Sequence, residues 1–169
     1  MPLKTETYVL GDERDRLDDR LDTLADQAAG GDEEAIDEAR DVESHLAGVI
    51  WGIDQYGADA EVRVGGLTTG EMAEVRDRTA AAREESKQFG GHGQVDGAAT
   101  TFYTAAGVLD APFVDGTASV DALAPTVANE LHPQFTQWLE SRIDDVTSVD
   151  SGNVTPFAER LAARTADET

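Results

Sequence analysis

Leu17-Asp18-Asp19-Arg20-Leu21-Asp22-Thr23-Leu24-Ala25-Asp26-Gln27-Ala28-Ala29-Gly30-Gly31-Asp32-Glu33-Glu34 decides the fold class. Leu17, Leu21, Leu24 and Ala28 recur at spacings of four, three and four, with Asp and Arg between them, which predicts an amphipathic helix over 12–29. Gly30-Gly31 breaks it. Asp32 is placed to cap a second helix, with Glu33 and Glu34 at the positive end of its dipole. Ala39, Val42, Leu46, Val49 and Ile53 then alternate threes and fours, a heptad-like seam that also permits self-association. A turn this short between two helices predicts an antiparallel hairpin that ends at Tyr56-Gly57-Ala58-Asp59.

Past the hairpin, Glu61-Val62-Arg63-Val64 alternates polar and apolar, as a short strand does. Leu67-Thr68-Thr69-Gly70-Glu71-Met72 follows. Thr68 and Glu71 have capping-box spacing, and Leu67 and Met72 stand where a hydrophobic staple closes, so a helix starts here and runs to about Gln88. Phe89-Gly90-Gly91-His92-Gly93 reads as a linker, because the lysine and spacing of a phosphate loop are missing. Asp96 is placed to cap a short helix containing Ala99, Phe102, Ala106 and Leu109. A turn-rich loop, Asp110 to Gly116, comes next. Ser119 to Leu131 predicts a helix kinked or restarted at Pro125. Pro133 opens another helix, with the stripe Phe135, Trp138, Leu139, Ile143 and Val146. Thr155-Pro156 begins a last helix with Phe157 and Leu161, and the tail from Thr165 is expected to fray.

The expected architecture is therefore mainly α: an N-terminal antiparallel helical hairpin, a small C-terminal helical bundle and one short strand. Residues 1–59 form the hairpin arm and 60–169 the helical domain, unless the two make one continuous domain.

The chain has 169 residues, 35 acids against 13 Lys+Arg, a formal charge of −22 and no cysteine. Without cysteine there are no disulfides, thiolate zinc sites, iron–sulfur clusters or Cys nucleophiles. A surface this acidic repels phosphate backbones and anionic lipids, which argues against nucleic-acid and membrane partners. No apolar run approaches the ~20 residues of a membrane span, and Met1 to Glu6 lacks the pattern of a secretory leader.

Chemistry-bearing motifs are absent. His45, His92 and His132 stand far apart and fit neither a HExxH nor a C2H2 pattern. No EF-hand, GxSxG, GxGxxG or Walker pattern occurs. Asp12, Asp15, Asp18, Asp19 and Asp22 read as a solvated helix face. The expectation is a non-enzymatic protein with no catalytic residue, no metal site and no cofactor.

High net charge is a mark of disorder, but 40% hydrophobic residues and helical periodicity oppose that reading. Two lysines stand against eleven arginines, and twenty Asp against fifteen Glu. This composition resembles that of proteins of salt-in halophiles, above all haloarchaea and their viruses. The physics agrees: a Debye length of about 10 Å at 0.1 M salt shrinks to about 3 Å at 1 M, so brine screens the repulsion.

The order of segments from Glu61 to Gly152 resembles that of tail-assembly chaperones of tailed viruses. The shared parts are Val62-Arg63-Val64 leading into Leu67-Thr68-Thr69-Gly70-Glu71, a charged helix ending near Lys87, and a variable linker. A short helix then leads to Ala106-Gly107-Val108-Leu109-Asp110-Ala111-Pro112-Phe113, and a helix pair closes on Thr147-Ser148. Gly65-Gly66 lengthens the opening relative to the family's "x-R-x-L-T-x-x-E", and the hairpin lies outside the pattern. The resemblance implies a non-catalytic protein of the high-salt host cytoplasm. It would hold the tape-measure protein before tail-tube subunits polymerise, then leave.

On that reading the partner contacts are large apolar side chains left exposed, Trp51, Phe113, Phe135 and Trp138, with Arg63 as a polar anchor. Two alternatives stand beside it. One is a head–tail connector subunit that touches the portal and stays in the virion. The other is a cellular haloarchaeal interaction module that docks through the hairpin.

Overall fold

A computed structural model describes residues 3–88, 96–148, 157–158 and 163–164. The mainly α expectation holds: six helices are described, together with a small antiparallel sheet. The elements are β1 (Thr5–Val9), α1 (Leu10–Ala29), α2 (Glu33–Tyr56), β2 (Glu61–Gly65), α3 (Thr69–Gln88), α4 (Asp96–Gly107), β3 (Val108–Asp110), α5 (Val120–Asn129) and α6 (Pro133–Thr147). The expected last helix and the linker from Phe89 lie largely outside the described residues; Phe157, which is described, is exposed.

The hairpin forms as its pattern requires. Leu17 and Leu24 are buried on α1, and Val42 and Val49 on α2. Asp32 caps α2, its carboxylate accepting from the N–H groups of Glu34 (3.0 Å) and Ala35 (3.3 Å). Gly31 turns the chain at φ +99°, a left-handed conformation that glycine adopts without a steric cost.

Among the described residues there are three strands where the sequence predicts one. β2 lies in the middle of the order β1-β2-β3, antiparallel to both neighbours. Thr5 pairs Gly65 and Val9 pairs Glu61 on one side; Arg63 pairs Asp110 and Val64 pairs Val108 on the other, with a bulge between Arg63 and Val64. β1 also explains why α1 begins at Leu10 rather than Asp12. Val9 offers no capping side chain, so the first N–H groups need other acceptors. Leu10 N–H donates to the Ala60 carbonyl (3.0 Å) and Gly11 N–H to that of Ala58 (2.8 Å).

The capping box closes. Glu71 accepts from Thr68 N–H at 2.7 Å, and Thr68 Oγ1 accepts from Glu71 N–H at 3.3 Å. Leu67 is buried, and Met72 packs against the core. After this firm start α3 lies on the outside, with Val75 its one buried residue.

α4 corrects the sequence reading. It ends at Gly107, so Leu109 belongs to β3 and not to the helix. Thr104 and Ala105 are the buried side chains, while Phe102 is only half-buried. Ser119 caps α5 by accepting from Ala122 N–H (3.2 Å), and α5 runs through Pro125 as one helix.

α6 is the centre of the molecule. All five residues of its expected stripe are buried. The neighbouring backbones come close to it at glycines. A Cβ on Gly52 would stand 2.6 Å from the Phe135 ring, and one on Gly107 would meet Ile143 at 2.5 Å. At Gly48 it would strike the backbone of Gln134, and at Gly66 the carbonyl of Val146. One core cluster includes Leu10, Leu24 and Val49 of the hairpin with Val62, Leu123, Leu139 and Ile143. The hairpin 1–59 and the bundle after it therefore share their core, and the β1–β2 pairing crosses the 59/60 boundary.

Candidate functional site

The five expected contact residues fall in three places. Phe135 and Trp138 are fully buried (0% exposed) and stack on each other with centroids 5.3 Å apart. Neither offers a side chain to a partner in this fold: the apolar stripe of α6 faces inward. Trp51 and Phe113 are half-buried and close the outer side of the same aromatic group. Trp51 meets Phe135 at 5.4 Å and Tyr56 at 6.0 Å; Phe113 meets Tyr56 at 5.8 Å and Phe135 at 6.2 Å. Arg63 is exposed on the central strand, opposite Thr7 and Asp110, away from these rings along the chain.

His45 and His132 hold structural places. His132 Nδ1 accepts from Gln134 N–H (3.3 Å) and caps α6, with its ring 6.0 Å from Trp51. His45 is partly buried on α2; burial, with the cations Arg142 and Arg16, holds it below the usual histidine range against the opposite pull of Asp41 and Asp145. His92 lies outside the described residues. Among the described residues no group of three or more His, Asp or Glu is placed to hold a metal. Among them, too, no helix is long and apolar enough to cross a membrane.

One acid is unlike the rest. Glu13 is 5% exposed, between α1 and α6. Trp138 Nε1 donates to its carboxylate at 3.1 Å, and Arg16 donates two bonds at 2.9 and 3.0 Å. Burial pushes its pKa up, but the bonds from Arg16 and Trp138 outweigh that and hold it below the usual carboxylate value. Around it Tyr8 packs edge-on against Trp138 at 6.1 Å, and the Arg142 guanidinium lies 5.7 Å from the Tyr8 ring centre. Burial and the bond to Glu6 push the Tyr8 phenol up to about 12. Arg142 Nε is buried there without a hydrogen-bond partner among the described residues, while the Trp138 bond to Glu13 and the packing of Tyr8 on Trp138 tie α1 and β1 to α6. A signal for this cluster exists in the sequence: Glu13 falls on the same helical stripe as Leu10, Leu17 and Leu24.

A surface hollow with room for an occupant lies along α4 and α5. One hollow of about 680 Å³ is lined from α4 by Gly97, Ala98, Thr101 and Phe102, and from α5 by Val120, Ala124, Pro125 and Ala128. Arg78 of α3 closes one end, held by Glu74 (2.8 Å) and Asp121. A second hollow of about 400 Å³ shares Gly97, Thr101 and Ala128 with the first. It continues over Val127 and Leu131 to Pro133, Thr136 and Glu140 of α6. The two form one open trough whose floor is small or apolar and whose ends are charged.

Sequence reasoning places Phe102 in a short helix and does not single out the trough. The available signal was the density of small residues, Gly97-Ala98-Ala99-Thr100-Thr101 on α4 and Ala124 and Ala128 on α5. Small side chains leave space on a helix surface, but only the placement of neighbours decides whether it stays open. Chemically, the trough can bury apolar side chains of another chain. No protein-family model, no curated protein and no solved structure matches this chain.

Proposed function

We propose that this protein is a non-enzymatic assembly factor of a tailed virus of a brine-living host, which holds a segment of a larger viral protein until that protein is assembled. The observation that carries the reading is the α4–α5 trough: long, open, and lined by Phe102, Val120, Ala124, Pro125 and Ala128. A shallow apolar channel of this kind suits a row of side chains from another protein better than a compact small molecule. The segment order from Glu61 to Gly152, similar to that of tail-assembly chaperones, supports the same role. So does the acid-rich surface, which keeps a complex soluble in molar salt.

The contact set changes from the one expected. Phe135 and Trp138 are core residues; the trough residues take their place, with half-buried Trp51 and Phe113 and exposed Arg63 on other parts of the surface. The test is a tagged pull-down in ~3 M KCl from virus-producing cells, read by mass spectrometry beside purified particles. Recovery of a very long helical protein, with this chain absent from particles, is the expected result. Recovery of portal or tail subunits, with this chain present in particles, makes it a connector and overturns the chaperone role.

A further inference from the structure

The trough has a chemical demand at one end. Glu140 lines it from α6, beside Leu131, Pro133 and Thr136, and is partly buried. One turn further on, Asp144 accepts a hydrogen bond from the Tyr103 hydroxyl (2.5 Å), so that acid is already provided for. Glu140 is not. Its polar support is the neutral Thr100 hydroxyl, and no cation of the described residues acts on it. Burial, and then the charge of Asp144, push its carboxyl above the usual range. An acid held against apolar surface and beside a like charge is best satisfied by a cation brought from outside.

The walls limit what carries that cation. They are helices, whose backbone groups are bonded within themselves. An extended segment laid in the trough would leave its own N–H and C=O groups without partners on an apolar floor. A helix satisfies its backbone internally and presents a row of side chains, which is what the trough has room for. Salt sharpens the choice of charge. In molar salt the Debye length is about 3 Å, so the surface field of a chain with net charge −22 guides nothing, and a partly buried contact pair persists. Arginine suits such a pair better than lysine, being less strongly hydrated and able to give two parallel bonds to a carboxylate.

We infer that the trough seats an amphipathic helix of a partner protein, with small or aliphatic residues along α4–α5 and an arginine on Glu140. This rests on the holding role proposed above for its biological occupant, and on the geometry alone for its chemistry. The probe is a fluorescein-labelled designed peptide of about 18 residues, long enough to form a helix, with an Ala/Leu stripe flanked by arginine; a matched peptide carries glutamate instead. Binding to the full chain is read by anisotropy in ~3 M KCl, with circular dichroism of each variant as the folding control.

The arginine peptide is expected to bind saturably and the glutamate peptide at least tenfold more weakly. Glu140→Gln, which keeps the side chain's shape, is expected to weaken the arginine peptide about tenfold, and Glu140→Arg to reverse the preference. The inference is overturned if neither peptide binds, if both bind alike, or if Glu140→Gln binds as the parent does. It is also overturned if the chain sediments as a dimer that Ala128→Trp dissociates, because a second copy then fills the trough. The two proposals fail separately. A pull-down without a long helical protein removes the viral role and leaves the peptide result standing; loss of the peptide result removes the arginine anchor and leaves the pull-down standing.

Discussion

Around α6 and along the α4–α5 trough, helices come together in different ways. Where α2, the end of α4 and the turn after β2 meet α6, the meeting points are Gly48, Gly52, Gly107 and Gly66, and a single added carbon at any of them would strike an atom of α6. Along the trough α4 and α5 pack side by side, and Ala98, Thr101, Ala124 and Ala128 leave a hollow on their surface. The glycines facing α6 stand where backbones come close, whereas in the trough Gly97 and the alanines line open surface. The first region is a closed structural core with its own buried polar lock; the second is the face available to another molecule.

The comparison breaks most violently at Gly48. Gly48→Val gains a little helix propensity but drives a branched side chain into the α6 backbone. The clash wins, because backbone cannot rotate away as a side chain can. Thermal unfolding in ~3 M KCl is expected to show a loss of about 3 kcal/mol. A variant that melts like the parent would show that α2 does not sit against α6 as described.

The polar lock comes next. Trp138→Phe keeps the ring and removes the indole donor from a buried carboxylate, a loss of about 2 kcal/mol in the same measurement. The pH dependence has a definite sign. The folded-state pKa of Glu13 lies below its ordinary value of 4.5. Its contribution is therefore complete above that value and is lost as pH falls through the folded pKa. An acid titration followed by circular dichroism is expected to show part of the acid sensitivity missing in Glu13→Gln. Equal acid sensitivity in both proteins would mean the lock is not formed.

At the start of α3 the effect is smaller. Thr68→Ala removes one half of the capping box and is expected to lower stability by about 1 kcal/mol, read by thermal melting. Along the trough a substitution is expected to matter least to stability: Ala128→Trp adds bulk to an exposed position, so its melting should stay within about 0.5 kcal/mol of the parent.

How much of this was legible in the sequence depended on the range of the interaction. The hairpin, the Asp32 cap, the Thr68–Glu71 box and the buried stripe of α6 are set by residues within a turn or two of one another, so spacing reveals them. β1 and β3 are short, and each exists only because β2 lies beside it; neither has enough residues to show a period of its own. The end of α4 at Gly107 answers to Ile143, a residue remote in the chain. An apolar stripe such as Phe135 and Trp138 looks the same in sequence whether it faces inward or outward, and here it faces inward. The trough was the least legible feature, since an open space depends on where remote elements come to lie.

The central claim is that the open α4–α5 face, and not the aromatic core around α6, holds the partner. The direct measurement is the pull-down in ~3 M KCl repeated with Ala128→Trp beside the parent chain, after circular dichroism has shown both to be folded. The account predicts that the variant loses the long helical protein that the parent recovers. A folded Ala128→Trp chain that recovers the same protein in the same amount would contradict it.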